Sequence, residues 1–116
     1  YRGGLFWLNI TFPNDYPWEP PRIRFETKIF HTNINNNGGI SLNLLRSKKG
    51  DYTHESEWSP AYTIQKCLIV IRGLLQDPNE GFPEATHLFK TDRTRYYATV
   101  EGFTRKYAMG FDGAEG

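Results

Sequence analysis

Three prolines crowd into five positions at Pro17, Pro20 and Pro21, and no regular element can run through them. Each fixes its own φ, lacks an N–H, and pushes the preceding residue away from helical geometry. The segment Tyr16-Pro17-Trp18-Glu19-Pro20-Pro21 must therefore be a rigid loop, and one of its prolyl bonds is a candidate for the cis isomer. On its N-terminal side, Leu5–Phe12 alternates, with Phe6, Leu8, Ile10 and Phe12 on one face, and Pro13-Asn14-Asp15 closes it with turn residues. On its C-terminal side, residues 22–26 alternate again, with Ile23 and Phe25 on the inner face. The loop thus joins two half-buried strands, and antiparallel pairing is their expected arrangement.

Beyond the strands the pattern changes period. Residues 31–62 read mostly as loop, with Asn35-Asn36-Asn37-Gly38-Gly39 a strong turn signal and Ile40–Leu44 a short extended piece. Thr63 can cap a helix whose inner face is Ile64, Cys67, Leu68, Ile71, Leu74 and Leu75, and Asp77-Pro78-Asn79 ends it. Asp92 or Thr91 can cap a second helix carrying Tyr96, Val100, Phe103 and Tyr107 at helical spacing. Two helices beside a small antiparallel sheet make an α+β domain.

A chain of 116 residues is one domain or part of one, and 16% aromatic content supplies a proper core. The net charge of +1 points to no nucleic-acid or membrane surface. The longest apolar run, Cys67–Ile71, is far too short to span a bilayer. A lone cysteine cannot form an internal disulfide, which fits a reducing compartment, cytoplasmic or nuclear. The three histidines are scattered without ligand spacing, so no metal and no cofactor is expected. Asn9-Ile10-Thr11 matches a glycosylation acceptor but falls inside the first strand, where chance is the better explanation.

An ordered series of short motifs runs from Tyr1 to Met109: Tyr1-Arg2-Gly3-Gly4-Leu5-Phe6, Phe12-Pro13-Asn14-Asp15-Tyr16-Pro17, Pro20-Pro21, His31-Thr32-Asn33, then Gly38, Ile40 and Leu42, Trp58-Ser59-Pro60-Ala61, Leu74-Leu75 and Asp77-Pro78-Asn79. Any one tripeptide is weak, but the series in order resembles the core domain of the ubiquitin-conjugating (E2) family. That resemblance implies the family's α+β fold over residues 1–109, with 110–116 as a tail. With no starting Met, Tyr1 reads as mid-domain, and the expectation is a fragment lacking the family's N-terminal helix and first strand. The resemblance also implies partners: ubiquitin or a related modifier, an E1 activating enzyme, and a RING- or HECT-type E3 ligase.

Residue by residue, the resemblance puts Ser41 where the family has its catalytic cysteine. Asn33 matches an asparagine credited with stabilising the oxyanion as lysine attacks; pinning the loop is the competing role. His31 takes a loop-holding role, and Trp18, Pro60 and Ala61 match E3-contacting positions. The family often has an acid near the thioester, for which Glu80 and Glu84 are the candidates here; the segment 48–57 is longer than the link in the smallest members.

The chemistry makes Ser41 decisive. A thiol forms thiolate near neutral pH and leaves well from a thioester, whereas a hydroxyl needs an adjacent base. His31 is given to the loop, and neither His54 nor His87 has an evident carboxylate partner, so a serine hydrolase is a poor reading. Cys67, on the apolar helix face, reads as a buried thiol rather than a displaced nucleophile. Transfer through Ser41 is therefore expected to be absent or very weak. Either a cysteine has been exchanged for serine, or the chain is a naturally inactive variant that binds ubiquitin or a partner E2.

Overall fold

A computed structural model describes residues 1–49 and 56–109. The proposed tail 110–116, His54 and most of the long 48–57 segment lie outside the described residues. The strands are β1 (Leu8–Thr11) and β2 (Arg22–Phe25), paired antiparallel with Leu8 opposite Phe25 and Ile10 opposite Ile23. This register stacks the four apolar side chains on one face, where burying Ile23 and Phe25 contributes about 2 kcal/mol each. The alternation ends one residue early. Phe12 lies past the end of β1, more than half exposed, and packs edge-on against Tyr16 at 4.8 Å instead of facing inward.

The proline loop is tied down at both ends. The Tyr16–Pro17 bond is cis. Pro17 O accepts the indole N–H of Trp58 at 2.8 Å, and Trp58 is almost wholly buried. The buried Glu19 carboxylate accepts the Lys48 N–H at 3.1 and 3.2 Å and the Ser47 hydroxyl, so the loop is stitched to the segment following a 3-10 turn at Asn43–Leu45. That turn replaces the expected extended run over Ile40–Leu44; only its beginning is bridged, Ile40 to Ile34.

Helix α1 (Ile64–Gln76) starts at Thr63, whose hydroxyl accepts the Lys66 N–H at 3.1 Å. Cys67, Ile71 and Leu74 are buried, Cys67 and Ile71 within the core cluster of Ile23, Phe25, Ile29, Ile34, Leu44 and Trp58, while Leu68 stands outside with Ile69. The inner stripe is thus narrower than the apolar composition suggests. The described residues form three α-helices rather than two. Helix α2 (Pro83–Thr91) precedes α3 (Arg93–Phe103), with Pro83 opening its first turn, Glu84 there and Lys90 in the last turn. The Asp92 carboxylate caps α3 through Arg95 N–H at 3.1 Å, and a π-helical turn, Thr104–Ala108, continues it. Ala85, Tyr96 and Val100 form a second small core.

Candidate functional site

Ser41 is delivered by a tight hairpin. Its N–H donates to Asn33 O at 2.8 Å, Ile34 and Ile40 are bridged, and Asn35 N–H donates to Gly39 O at 2.9 Å. The Asn35 side chain closes the turn by accepting the N–H groups of Asn37 at 2.9 Å and Gly39 at 2.8 Å. Ser41 is half-buried, and among the described residues no side chain hydrogen-bonds its hydroxyl. Among the described residues, none is hydrogen-bonded to it as a base that could take its proton.

His31 is fully committed elsewhere. Its Nδ1 accepts the Asn33 N–H at 3.0 Å, so Nε2 carries the proton and donates to Leu74 O at 2.9 Å. Burial drives its pKa from 6.5 down to about 4. The folded state therefore keeps His31 neutral where the unfolded chain takes up a proton. Stability is complete above about pH 6.5 and drains as pH falls toward 4, by about 2 kcal/mol at pH 5. Urea unfolding at pH 7 and pH 5 measures this loss, and His31→Gln is expected to flatten the difference.

Asn33 joins this loop to the one after α1. Its Oδ1 accepts the Asn79 N–H and the Thr32 hydroxyl, both at 3.0 Å, and its Nδ2 donates to Glu80 O at 3.4 Å. Beside it, Phe82 N–H donates to Thr32 O at 2.7 Å. The approach leaves no room for a side chain at Gly81, whose Cβ would sit 2.3 Å from Thr32 O. From the other side, Tyr96 on α3 accepts the Thr32 N–H at 3.3 Å. Of the two candidate acids, Glu80 is adjacent through its own carbonyl, with its carboxylate 2.9 Å from Lys90 Nζ, while Glu84 lies in the first turn of α2. The Thr32–Tyr96 and Asn33–Asn79 links carry no signal in the sequence, since their partners lie 64 and 46 residues away. Cys67 is remote in kind: wholly buried, its thiol pushed up by burial.

Among the described residues, Trp18 is the most exposed of the large apolar side chains, at 69%. Pro60 and Ala61 are exposed as well. Buried Trp58 connects them: it holds Pro17, next to Trp18, and stands two residues before Pro60. Trp58 thus supports both loops from the core. Among the described residues, no cluster of His, Cys, Asp or Glu is placed to hold a metal ion, and no helix is long and apolar enough to cross a membrane.

A family model described as ubiquitin-conjugating enzyme matches residues 1–104, the hairpin and the loop after α1 included. Among solved structures, the chain is similar to the E2 domain of a Toxoplasma gondii ubiquitin conjugating enzyme. The two are 35% identical with a TM-score of 0.79, over 91% of this chain and 70% of that one.

Proposed function

Because this chain belongs to the ubiquitin-conjugating enzyme family, we propose that Ser41 occupies its transfer position and that transfer through the serine hydroxyl is absent or very slow. The observation that carries this reading is the hairpin that ties Ser41 to Asn33 while no side chain among the described residues hydrogen-bonds its hydroxyl. In this reading an E1 delivers ubiquitin or a related modifier, Asn33 stands ready to donate to the oxyanion, and residues 1–109 make up the core, working in cytoplasm or nucleus. Asn33 Nδ2 has one hydrogen toward Glu80 O and a second with no acceptor among the described residues, as such a donor requires. The same unactivated hydroxyl also favours a second reading, a non-catalytic variant that holds ubiquitin or a partner E2.

The test is incubation with E1, ATP and tagged ubiquitin. The first reading expects an adduct on the native chain that is slow to form, resists reductant, yields to alkali and is lost in Ser41→Ala. It expects Ser41→Cys to give an abundant, reductant-sensitive adduct. A folded Ser41→Cys chain that binds E1 and still takes no modifier refutes transfer at this position and leaves the binding reading.

The Trp18, Pro60 and Ala61 surface is proposed to receive the E3. An exposed aromatic on a rigid proline loop is the kind of anchor on which interface energy concentrates. Trp18→Ala is expected to weaken binding to a RING- or HECT-type partner by about 2 kcal/mol, roughly 30-fold, with an unchanged urea midpoint. Titration by fluorescence anisotropy reads the first and tryptophan-independent circular dichroism the second. Unaltered affinity for both classes removes Trp18 from the interface.

A further inference from the structure

Thr32 has no exposed surface, yet every polar atom it owns has a partner. Its N–H donates to Tyr96 Oη at 3.3 Å, its carbonyl accepts Phe82 N–H at 2.7 Å, and its hydroxyl reaches Asn33 Oδ1 at 3.0 Å. A proline here would supply neither the N–H nor the hydroxyl. The direction of the last bond is fixed by chemistry. Asn79 N–H can only donate, so the atom it meets on Asn33 is the amide oxygen, and Glu80 O can only accept, so the other is the nitrogen. An amide oxygen has no proton to give, and the Thr32 hydroxyl must therefore be the donor. Oδ1 is thus held by two donors from different directions, one on its own strand of the hairpin and one on the loop after α1.

The rear of this arrangement is also anchored. Tyr96 is wholly buried on α3, and the Tyr1 hydroxyl donates to Phe30 O, one residue before His31. Thr32 is consequently pinned from behind while its hydroxyl points forward onto Asn33. Removing that hydroxyl leaves Oδ1 with the Asn79 N–H alone, and the amide gains freedom to rock about its last side-chain torsion.

We propose that the Thr32 hydroxyl is a positioning group that sets the orientation of the side-chain amide of Asn33, the residue whose carbonyl accepts the Ser41 N–H. Its kinetic consequence rests on the conjugating-enzyme reading above; its geometric content does not. Thr32→Val keeps the shape and the N–H and deletes only the hydroxyl, while Thr32→Ser restores it.

Two measurements separate the proposal from the functional reading. In the otherwise native chain, nuclear magnetic resonance follows the Asn33 side-chain NH₂. Thr32→Val is expected to shift its pair of signals and speed its solvent exchange roughly three- to tenfold, the loss of one neutral hydrogen bond. Backbone signals of β1 and β2 stay in place, reporting an intact fold, and Thr32→Ser returns the NH₂ to native behaviour. In the Ser41→Cys background, single-turnover discharge to free lysine is expected to slow by the same factor in Thr32→Val, with the lysine concentration dependence unchanged and Thr32→Ser restored. Unchanged Asn33 NH₂ signals and exchange in Thr32→Val overturn the proposal, as does a Thr32→Ser chain that behaves like Thr32→Val. Ser41→Cys chains that never charge count against the functional reading, while the NH₂ measurement still decides the role of Thr32.

Discussion

Exchanging Ser41 for cysteine is expected to speed acceptance of a modifier at this position by on the order of 10⁴-fold. An aliphatic hydroxyl is about as weak an acid as water, far weaker than a free thiol, which ionises at ~8.5. At neutral pH that gap of roughly seven units costs serine about 10⁷ in ionised fraction. The more basic anion is the better nucleophile, and a Brønsted slope of about 0.4–0.5 restores about 10³ of it. The remaining 10⁴ would shrink only if the site ionised the serine for it. The described residues offer no such help: both His31 nitrogens are engaged with Asn33 N–H and Leu74 O, burial holds that ring neutral, and no described side chain hydrogen-bonds the Ser41 hydroxyl. Cys67 cannot stand in, because it is wholly buried in α1 and its thiol is raised. Single-turnover charging of the native and Ser41→Cys chains under one E1 concentration measures the ratio. A native rate within tenfold of the cysteine variant would mean that a base reaches Ser41 after all.

The parts of this fold that were legible in the sequence are those where a local rule and the tertiary packing agree. The prolines had to be a loop, the period-two stretches on either side had to be strands, and Thr63 and Asp92 cap the helices they precede. Helix α2 (Pro83–Thr91) carries an apolar stripe in Ala85, Leu88 and Phe89, but at nine residues the stripe spans little more than two turns, and its other signals stand at its ends in Pro83, Glu84 and Lys90. Periodicity alone turns Phe12 and Leu68 inward. A turn at Pro13 lets the first swing onto Tyr16, and the narrow contact of α1 leaves the second outside. At the site, residue types pointed to Ser41, His31 and Asn33, but hydrogen bonds could not be read at all. Whether the Asn33 amide faces Asn79 or solvent depends on how the chain after α1 returns, and that is a property of packing across 46 residues.

Gly38→Ala is expected to be the most damaging glycine-to-alanine change among the described residues, at a cost of about 3 kcal/mol or more. Gly38 has φ +86°, a region that an L side chain enters at a cost of roughly 1–2 kcal/mol. The larger problem is space. A Cβ at this position would lie 2.0 Å from Phe25 O and 2.9 Å from Phe25 C, both rigid backbone atoms. The collision cannot be relieved by a rotamer change, because Gly38 O itself accepts Phe25 N–H at 2.9 Å and Gly39 is bridged to Arg24. Either the turn lifts off β2 or β2 yields. The next residues along the chain are Gly39, Ile40 and Ser41, so a lifted turn also loosens the pairing that places Ser41 against Asn33. The variant should thus lose stability in urea and, in the Ser41→Cys background, lose charging at temperatures where it remains folded. Gly73→Ala is the matched control: it lies inside α1 with nothing within 4 Å of the added methyl, and there alanine should stabilise by about 0.5–1 kcal/mol. Equal urea midpoints for the two variants would show that the turn does not press on β2 as these distances require.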